Sequence, residues 1–296
     1  MNNSDPRLSD FINKETNRHP RVRIIGFPSD RGVIINGGRP GASKAPALIF
    51  EHLIKLTPHP DHFDVHQKLL RATTGIDNIN CSGQVEKDQV SLGKVVSDSI
   101  KSDSIPLIIG GGHETSFGHF LGYADLNKPV HILNIDAHTD VRELKNGKAH
   151  SGSPFRQAIE HKSKLCKSYN VFGLNPASVS HAHFNFVRSQ GTAIHDDELS
   201  LEYIRTWLHS NKPENLMITM DMDAVQQSDA PGVSAANASG ITKHIWLDLA
   251  FELGRSSFVT SFDLCEVNPD FDRDNQTTKL AALTIWWFLL GVALRE

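Results

Sequence analysis

Short apolar runs alternate with longer stretches of helical periodicity along most of the chain. The short runs consist of apolar and β-branched residues, which is typical of strands that are buried on both faces. Strands are predicted over residues 21–27, 105–109, 130–135, 169–174, 192–195, 215–221 and 258–264. Helices are predicted between them, over residues 43–56, 89–102, 154–161, 199–210, 242–253 and 277–295. This alternation predicts an α/β fold, a single three-layer α/β/α domain with a mostly parallel sheet.

The two ends of the chain differ from its middle. Residues 1–20 are polar and lack the apolar core of a signal peptide, so we expect a loosely held N-terminal arm. One domain is then expected to cover residues 21–296. Residues 280–294 are strongly apolar, but at about 1.5 Å per residue they fall short of a bilayer core of about 30 Å. We therefore expect a packed C-terminal helix and no membrane span.

Charge and cysteine content narrow the class of partner. The 30 Lys and Arg residues nearly balance the 34 Asp and Glu residues, for a formal net charge of -4. The chain therefore has no excess of positive charge that would favour binding to nucleic acid or to an anionic membrane, so small molecules are the expected partners. Cys81, Cys166 and Cys265 are widely separated and form no CxxC motif. That pattern indicates free thiols in a reducing compartment, and we expect the cytoplasm.

Side chains that can bind metal gather where predicted strands end. In doubly wound sheets, ligands bind beyond the carboxyl ends of the strands. Four carboxylates and two imidazoles stand at or just after the ends of three different strands: His113, Asp136, His138, Asp140, Asp221 and Asp223. Alternate residues of extended backbone point to the same side, so the segments 136–140 and 221–223 can each converge on one point.

The composition of this set predicts a two-metal site. A single D-x-D pair is usually a helix cap or a solvated strand end, and a single His after a glycine run is usually a turn residue. Six such side chains in one chain favour metal binding and exceed the needs of one ion. Carboxylate-rich sites with few imidazoles suit Mn²⁺ foremost, then Mg²⁺, Fe²⁺ or Co²⁺, whereas Zn²⁺ sites more often contain Cys or additional His.

Four motifs in a fixed order resemble those of the ureohydrolase superfamily, which contains the arginases and agmatinases. They are GGGHE at residues 110–114, DAHTD at 136–140, DMD at 221–223 and CEVNP at 265–269. The resemblance extends from about residue 24 to residue 283. It implies an arginase-like fold and a hydrolase with two Mn²⁺ per chain. It also implies a homo-oligomer, since members of the family are commonly trimers or hexamers.

The resemblance also implies roles for individual residues. One manganese ion would be held by His113, Asp136, Asp140 and Asp221, and the second by Asp136, His138, Asp221 and Asp223. Two metal ions make a shared water nucleophilic at neutral pH, and this water would attack the carbon of an amidinium. Asp140 would move the proton of the water to the leaving nitrogen. Glu266 would hold the N–H groups of the substrate by charge-assisted hydrogen bonds.

The variable positions resemble those of formimidoylglutamases more than those of arginases. Arginases and agmatinases usually carry GGDHS, whereas this chain has Gly112 and Glu114 at the two differing places. Arg142 stands where arginases have an asparagine that contacts the substrate carboxylate, and its planar fork suits a carboxylate. The resemblance therefore implies hydrolysis of N-formimidoyl-L-glutamate, an amidine with two carboxylates, to L-glutamate and formamide. Arg156 and Asn175 are expected as further substrate contacts.

Some positions depart from the family pattern. Arginases and agmatinases have a histidine proton shuttle where this chain has Ser151, so His150, one step earlier, is only a candidate for that role. The Asp-Pro expected after D-x-D is replaced by residues 225–227. An agmatinase, an arginase or another guanidino-acid ureohydrolase therefore stays an alternative. The glycine-rich stretch 36–42 lacks a phosphate-binding pattern, and we expect a loop near the mouth of the site.

Two functions outside this superfamily are also considered. Binuclear phosphoesterases use similar motifs, but they place D-x-H before the His turn, whereas here His113 precedes Asp136. A catalytically silent, metal-stabilised scaffold is the alternative that is not an enzyme. Such proteins tend to lose ligands or the acid that orients the substrate. This chain keeps all six predicted ligands and Glu266, which favours an enzyme.

Overall fold

The predicted strands form one sheet. A computed structural model of the protein describes residues 5–12 and 20–295. The strands within these ranges are β1 Val22–Phe27, β2 Asp77–Asn78, β3 Ile105–Gly110, β4 Val130–Ile135, β5 Cys166–Leu174, β6 Ala193–His195, β7 Leu216–Asp221 and β8 Val259–Cys265. Their order across the sheet is β2-β1-β3-β8-β7-β4-β5-β6, and each pair of neighbours is parallel. The expected parallel sheet is confirmed, with β2 as an additional edge strand.

Alternate side chains of the central strands enter cores on opposite faces of the sheet. In β3, Leu107 and Ile109 pack into one core, and Ile108 packs into the core on the other face. In β4, Ile135 joins the first face and Ile132 joins the second. All five side chains are fully buried. Because helices cover both faces, these strands have continuous apolar sequences instead of an apolar–polar alternation.

Ten α-helices within the described ranges cover the two faces. They are α1 Arg31–Asn36, α2 Ala45–Leu53, α3 Phe63–Arg71, α4 Val85–Lys101, α5 Thr115–Asp125, α6 Pro154–Glu160, α7 His181–Gln190, α8 Leu201–Asn211, α9 Lys243–Arg255 and α10 Gln276–Ala293. Side chains of α2, α3, α8, α9 and α10 fill the core on one face, and those of α4 to α7 fill the core on the other. This confirms the three-layer α/β/α domain.

Four of these helices, α1, α3, α5 and α7, were not among the predicted elements. In α5 the reason is its packing against α4, which requires glycine. A Cβ atom at Gly118 would lie 2.9 Å from the side chain of Leu92, and one at Gly122 would lie 2.3 Å from Val96. Glycine lowers helix propensity and interrupts the apolar pattern, so the local sequence does not indicate the helix that the tertiary contact stabilises.

Part of the N-terminal arm is docked onto the domain. Leu8 is fully buried, Ile12 is also buried, and the N–H of Leu8 donates to the carbonyl of Leu56 at 2.8 Å. The expected loose attachment is therefore wrong for residues 8–12, because a short apolar turn within the polar stretch packs into the core. Residues 1–4 and 13–19 lie outside the described residues, and the boundary of the domain at residue 21 stays a prediction.

The apolar C-terminal segment forms α10, as predicted. Phe288 and Leu289 are fully buried, and the indole N–H of Trp246 in α9 donates to the hydroxyl of Thr284 at 2.8 Å. The pair α9 and α10 thus closes one face of the sheet. In the part of the chain that the structure describes, no helix combines the length and the apolar character needed to cross a membrane.

The docked arm gives a testable prediction about stability. Replacing Leu8 by Ala removes a fully buried side chain, so the free energy of unfolding should fall by about 2–5 kcal/mol. Ser9→Ala changes the exposed neighbouring residue and should stay within about 0.5 kcal/mol of wild type. Urea denaturation measures both variants. Equal stability of the two variants would show that the arm does not contribute to the core.

Candidate metal centre

The predicted ligands and Glu266 lie at the ends of four strands that are neighbours in the middle of the sheet. His113 follows β3, Asp136 follows β4, Asp221 ends β7 and Glu266 follows β8. The sheet order β3-β8-β7-β4 places these four ends side by side. In the chain, β3 and β4 are consecutive, but in the sheet β8 and β7 lie between them. The crossover connections therefore assemble one site from residues as far apart as 113 and 266.

The turns after β4 and β7 have the same local geometry. Asp136 Oδ1 accepts the backbone N–H of His138 at 2.6 Å, and Asp221 Oδ1 accepts that of Asp223 at 2.8 Å. Both are Asx turns, in which the carboxylate mimics a backbone acceptor. The ligand pairs therefore converge through tight turns, not through the extended backbone that was expected. The segment Met222–Ala224 is a short 3-10 turn.

The first group of ligands surrounds His113. Its Nδ1 atom lies 3.3 Å from Asp136 Oδ2, 3.0 Å from Asp140 Oδ2 and 3.0 Å from Asp221 Oδ2. His113, Asp136 and Asp221 are buried, whereas 14% of the Asp140 side chain is exposed. One imidazole nitrogen and three carboxylate oxygens thus lie within reach of a single cation.

The second group of ligands lies beside the first and shares Asp136 with it. His138 Nδ1 is 3.1 Å from Asp223 Oδ2 and 3.5 Å from Asp136 Oδ1. The two oxygens of Asp136 therefore face different groups, which is the arrangement of a bridging carboxylate. Asp221 was also expected to bridge. Its Oδ2 faces His113, and its Oδ1 accepts the N–H of Asp223, just as Asp136 Oδ1 accepts that of His138, so its bridging role stays a prediction.

A polar network inside the sheet orients the His113 ring. His113 Nε2 lies 2.9 Å from the Thr219 hydroxyl, which donates to Asp263 Oδ1 at 2.7 Å. Because the only hydroxyl hydrogen of Thr219 points to Asp263, Thr219 must accept the proton of Nε2. His119 Nδ1 lies 2.7 Å from the other oxygen of Asp263, and all four residues are fully buried. The network leaves the Nδ1 lone pair of His113 directed at the carboxylates, as a metal ligand requires.

A second network holds the shared carboxylate. The amide of Asn134 donates to Asp136 Oδ2 at 2.9 Å and to the Tyr169 hydroxyl at 3.1 Å. Tyr169 donates in turn to the carbonyl of Thr139 at 2.8 Å, within the DAHTD turn. Asn134 and Tyr169 are buried. These contacts fix the orientation of Asp136 before any cation binds.

The carboxylates raise one another's affinity for protons. Burial, followed by the charges of Asp223 and Asp136, raises the pKa of Asp221 well above its usual range. Burial raises the pKa of Asp223 to about 6, and burial together with the charge of Asp221 raises the pKa of Glu266. For Asp136, burial acts in the same direction, but the His113 and His138 rings keep its pKa below the usual range. Negative charge therefore exceeds positive charge at the centre.

The donor set fits divalent cations. His113 Nδ1 and Asp223 Oδ1 are buried and make no hydrogen bond to any residue that the structure describes. Unpaired buried polar atoms are costly unless a ligand satisfies them. Carboxylate oxygens with one imidazole in each group are the ligands that Mn²⁺ prefers. A cation in each group would satisfy these atoms and offset the excess negative charge.

Two residues of the centre have unusual backbone conformations. Asp140 has φ +44° and Glu266 has φ +69°, in the left-handed region that side chains rarely adopt. Glu266 is held there because its N–H donates to the Gly111 carbonyl at 2.8 Å and its Oε1 accepts the N–H of His113 at 2.7 Å. Such strain persists where the surrounding structure enforces it, commonly at functional sites.

Comparison with known proteins agrees with this geometry. The family model described as Arginase family matches residues 20–291, which is most of the chain. The chain belongs to the arginase family. The ureohydrolase resemblance of the four motifs is thereby confirmed, and with it a hydrolase that depends on bound metal.

Several arginase-family proteins resemble this chain over nearly its whole length. It is 33% identical to a formimidoylglutamase of Geobacillus thermodenitrificans (strain NG80-2), over 93% of this chain and 86% of that one. It is 32% identical to a formimidoylglutamase of Streptococcus pyogenes serotype M1, over 90% and 83% of the two chains. The formiminoglutamase of Trypanosoma cruzi, solved with Mn²⁺, superposes with a TM-score of 0.89 at 28% identity, covering 99% of this chain and 100% of that one.

Arg142, predicted as a substrate contact, is an unpaired cation beside the centre. It is exposed, and its guanidinium makes no hydrogen bond or ion pair with the described residues. Its backbone N–H donates to the Gly152 carbonyl at 2.8 Å. The pKa of His183 is lowered by burial first and then by the charges of Arg142 and Arg156. Both arginines therefore lie near α7.

Arg156 and Asn175, the other two predicted substrate contacts, already have partners in the protein. Arg156 Nε lies 2.5 Å from Glu160 Oε1, and its guanidinium stacks on Phe186 with its carbon 4.3 Å from the ring centroid. The Asn175 amide donates to Asn237 Oδ1 at 3.0 Å. To contact a substrate, either side chain would have to leave these partners, and their role stays a prediction.

His150, the candidate proton shuttle, is tied to the backbone of its own loop. Its Nε2 lies 2.9 Å from the carbonyl of Glu143, and its Nδ1 accepts the N–H of Gly152 at 3.1 Å. His150 is also buried. Neither ring nitrogen is left for a proton relay. His150 shapes the loop that carries Arg142, and we propose no shuttle role for it.

The supporting residues of the arginase-family centre were not found from sequence. Thr219 and Asp263 lie within strands, and Asn134 precedes Asp136 by two residues in a strand, so spacing alone does not distinguish these three from other strand residues. A usable signal was present, since polar residues that interrupt an otherwise fully buried strand need partners. In β7 and β8, Thr219 and Asp263 are such interruptions.

The Thr219 network gives a testable prediction about metal affinity. Thr219→Val keeps the shape of the side chain but removes the acceptor for the Nε2–H of His113. Loss of such a contact should lower the affinity for Mn²⁺ by roughly ten- to a hundredfold. Thr219→Ser retains the hydroxyl and should bind Mn²⁺ like wild type. Competition with a chelator measures both variants, and an unchanged affinity in the Val variant would rule out this role for Thr219.

Proposed function

We propose that this chain hydrolyses N-formimidoyl-L-glutamate to L-glutamate and formamide. The observation that carries the proposal is an unpaired, exposed arginine, Arg142, two residues after the metal-group residue Asp140. A substrate with a cationic amidinium and two carboxylates complements this arrangement, because the buried carboxylates attract the amidinium and the exposed guanidinium attracts a carboxylate. Support also comes from the relatives named formimidoylglutamase, which match at least nine-tenths of the chain.

The proposed cofactor is a pair of Mn²⁺ ions. His113, Asp136, Asp140 and Asp221 would hold one ion, and Asp136, His138, Asp223 and one oxygen of Asp221 would hold the other. The two groups that share Asp136 support a pair of ions, and the Mn²⁺-bound formiminoglutamase of Trypanosoma cruzi supports the choice of metal. When bound, such ions lower the pKa of a water molecule and make it a nucleophile at neutral pH.

Asp140 is the proposed carrier of the proton. Hydrolysis adds water across the C–N bond, so one water proton must reach the nitrogen that leaves as the amine of glutamate. Asp140 is more exposed than the buried ligands around it, with 14% of its side chain accessible. It can therefore accept a proton from the attacking water and donate it to the departing nitrogen.

Glu266 is proposed to orient the amidinium. Its Oε1 accepts the N–H of His113, whereas Oε2 makes no hydrogen bond to any described residue. Oε2 can therefore accept an N–H of the substrate in a charge-assisted bond. This bond would aim the amidinium carbon at the water, and the left-handed backbone of Glu266 fixes the direction of its side chain.

Arg142 is proposed to bind a carboxylate of the substrate. A guanidinium presents two parallel N–H groups that match a carboxylate. Agmatine has no carboxylate, and its amine would face an unpaired like charge. Agmatinase activity is therefore disfavoured, whereas arginine and guanidino acids each carry one carboxylate and stay alternatives. A silent scaffold is disfavoured because none of the six ligands or Glu266 is lost.

The cellular location and the oligomeric state of the enzyme are inferred from its cysteines and its family. We infer a cytoplasmic homo-oligomer, a trimer or hexamer, that acts on a small molecule. The three cysteines are free, as expected in a reducing compartment. The oligomer is supported by family resemblance. Size-exclusion chromatography with light scattering gives the number of subunits.

A substrate panel tests the proposed activity. Protein reconstituted with Mn²⁺ is assayed with formimidoylglutamate, arginine, agmatine, guanidinobutyrate and guanidinopropionate, and the released formamide or urea is measured. We expect turnover of formimidoylglutamate to exceed that of every guanidine. Preferential release of urea from any guanidine would overturn the proposed substrate, and turnover of none would favour the silent scaffold.

The carboxylate contact gives a testable prediction about specificity. Arg142→Ala should lower kcat/KM for formimidoylglutamate by about thirtyfold to several thousandfold, as expected for truncating one partner of a desolvated charge pair. Lys148→Ala, which removes another exposed cation of the same loop, should have little effect. Steady-state kinetics with a carboxylate-free amidine serve as a second control, because that substrate should not distinguish Arg142→Ala from wild type. An Arg142→Ala enzyme as efficient as wild type on formimidoylglutamate would refute the contact.

A further inference from the structure

Glu114 places a buried carboxylate next to the metal centre without joining it. The residue follows His113 directly and is fully buried. Its Oε1 accepts the backbone N–H of Gly32 at 2.8 Å and the hydroxyl of Ser29 at 3.1 Å. Its Oε2 has no partner among the residues that the structure describes. The side chain therefore connects the turn that carries His113 to Ser29, which follows β1, and to Gly32 in the first turn of α1.

Two glycines make room for this carboxylate. A Cβ atom at Gly32 would lie 2.5 Å from Glu114 Oε2, and one at Gly112 would lie 2.2 Å from the same atom and 2.4 Å from Val33 Cγ2. Real Cβ atoms do not approach a neighbour that closely, so a side chain at position 112 would displace the Glu114 carboxylate and the Val33 side chain from these positions. This gives a steric reason why the sequence reads GGGHE here and GGDHS in arginases and agmatinases.

The segment that Glu114 anchors lies against the loop that carries Arg142. At the end of α1, the Asn36 amide donates to the Ser151 hydroxyl at 3.2 Å. At Gly152, a Cβ atom would lie 3.1 Å from the Asn36 amide nitrogen and 3.1 Å from Arg142 Cδ. The Asn36 side chain at the end of α1 and the Arg142 side chain thus both pack against Gly152. A shift of α1 would change the space in which the guanidinium lies.

The same segment also reaches the loop that follows Glu266. The Asn268 amide donates to the carbonyls of Arg39 and Pro40 at 3.1 and 3.0 Å. The Arg39 backbone N–H donates to the Ser234 hydroxyl at 2.8 Å. Residues 29–41, which we call the α1 wall, therefore contact both loops that carry the proposed substrate contacts. The α1 wall is joined to the turn that carries His113, which we call the metal-site turn, in two ways. The Gly112 N–H donates to the Ser29 carbonyl at 2.8 Å, and the Glu114 carboxylate accepts hydrogen bonds from Ser29 and Gly32.

We propose that Glu114 is a positioning residue for substrate specificity. It fixes the α1 wall against the metal-site turn and so sets the position of Arg142 relative to the metal ions. This role rests on the proposed function, since the carboxylate of the substrate is what Arg142 would meet. Glu114 binds neither metal nor substrate, and its loss should act on substrate binding more than on the chemical step.

Kinetics of two Glu114 variants test the proposal. Glu114→Ser removes the anchor, whereas the amide oxygen of Glu114→Gln can accept the same two hydrogen bonds. We expect the Ser variant to raise KM for formimidoylglutamate by roughly ten- to a hundredfold, with kcat changed by less than about threefold and Mn²⁺ content unchanged. The Gln variant should stay close to wild type. Equal KM values for the two variants would overturn the positioning role.

A matched control separates positioning from general loss of stability. Gln89 is buried and its amide donates to the backbone carbonyl of Glu114 at 2.9 Å, but among the described residues it makes no hydrogen bond to the α1 wall. Gln89→Met should lower the melting temperature without raising KM. A rise in KM equal to that of Glu114→Ser would mean that destabilisation alone explains the effect, and the proposal would fail.

A steric rescue tests the anchor independently of any substrate. Gly112→Asp places a side chain against Glu114 Oε2, so it should lower the melting temperature and speed hydrogen exchange of residues 29–36. Adding Glu114→Ser in the same protein removes the nearer of the two obstacles, the other being Val33, and should recover part of both losses. Failure of the double variant to recover would overturn the steric argument. If the double variant recovers stability but the wild-type protein does not turn over formimidoylglutamate, the proposed substrate is wrong, whereas the role of Glu114 in holding the α1 wall still stands.

Discussion

The mutual repulsion of buried carboxylates at one edge of the sheet is the constraint on which the rest of the structure depends. Asp136, Asp221, Asp223 and Glu266 lie at neighbouring strand ends with little access to solvent. Burial and their neighbours' charges raise the pKa values of the last three. Without cations, such a cluster favours taking up protons or moving apart. With two divalent ions, the formal charge of the four Asp ligands is offset, and the same geometry becomes stable.

The surrounding structure keeps these acids in place while the cations come and go. Asx turns fix Asp136 and Asp221, and polar side chains inside the sheet hold two of the ligands: the Thr219 hydroxyl accepts the N–H of His113, and the Asn134 amide donates to Asp136. The doubly wound topology contributes by making β3, β8, β7 and β4 neighbours. The site is thus held by rigid strand ends, whereas substrate contacts such as Arg142 lie on loops. This division suits a family in which one chemistry serves several substrates.

The sequence predicted the parallel sheet and the six ligands because both depend on local signals, namely apolar runs and side chains with metal affinity at their ends. It failed where a residue's role depends on a distant partner. The helix α5 contains Gly118 and Gly122 because α4 packs closely, and Leu8 appeared to belong to a polar arm. GGGHE could be matched to a family by letters alone, but its steric reason needed the close approach of Gly112 to Glu114 Oε2. Likewise, both ring nitrogens of His150 are hydrogen-bonded to the backbone of its own loop, and the spacing of residues in the sequence does not predict these contacts.

The proposed pair of metal ions would share Asp136 at the carboxyl ends of the central strands. Anomalous diffraction at the manganese absorption edge, from crystals of the full chain grown with Mn²⁺, can locate both ions. Two anomalous peaks are expected, one bounded by His113 and Asp140 and the other by His138 and Asp223, with an Asp136 oxygen facing each. A single peak, or peaks away from these side chains, would contradict the proposed pair.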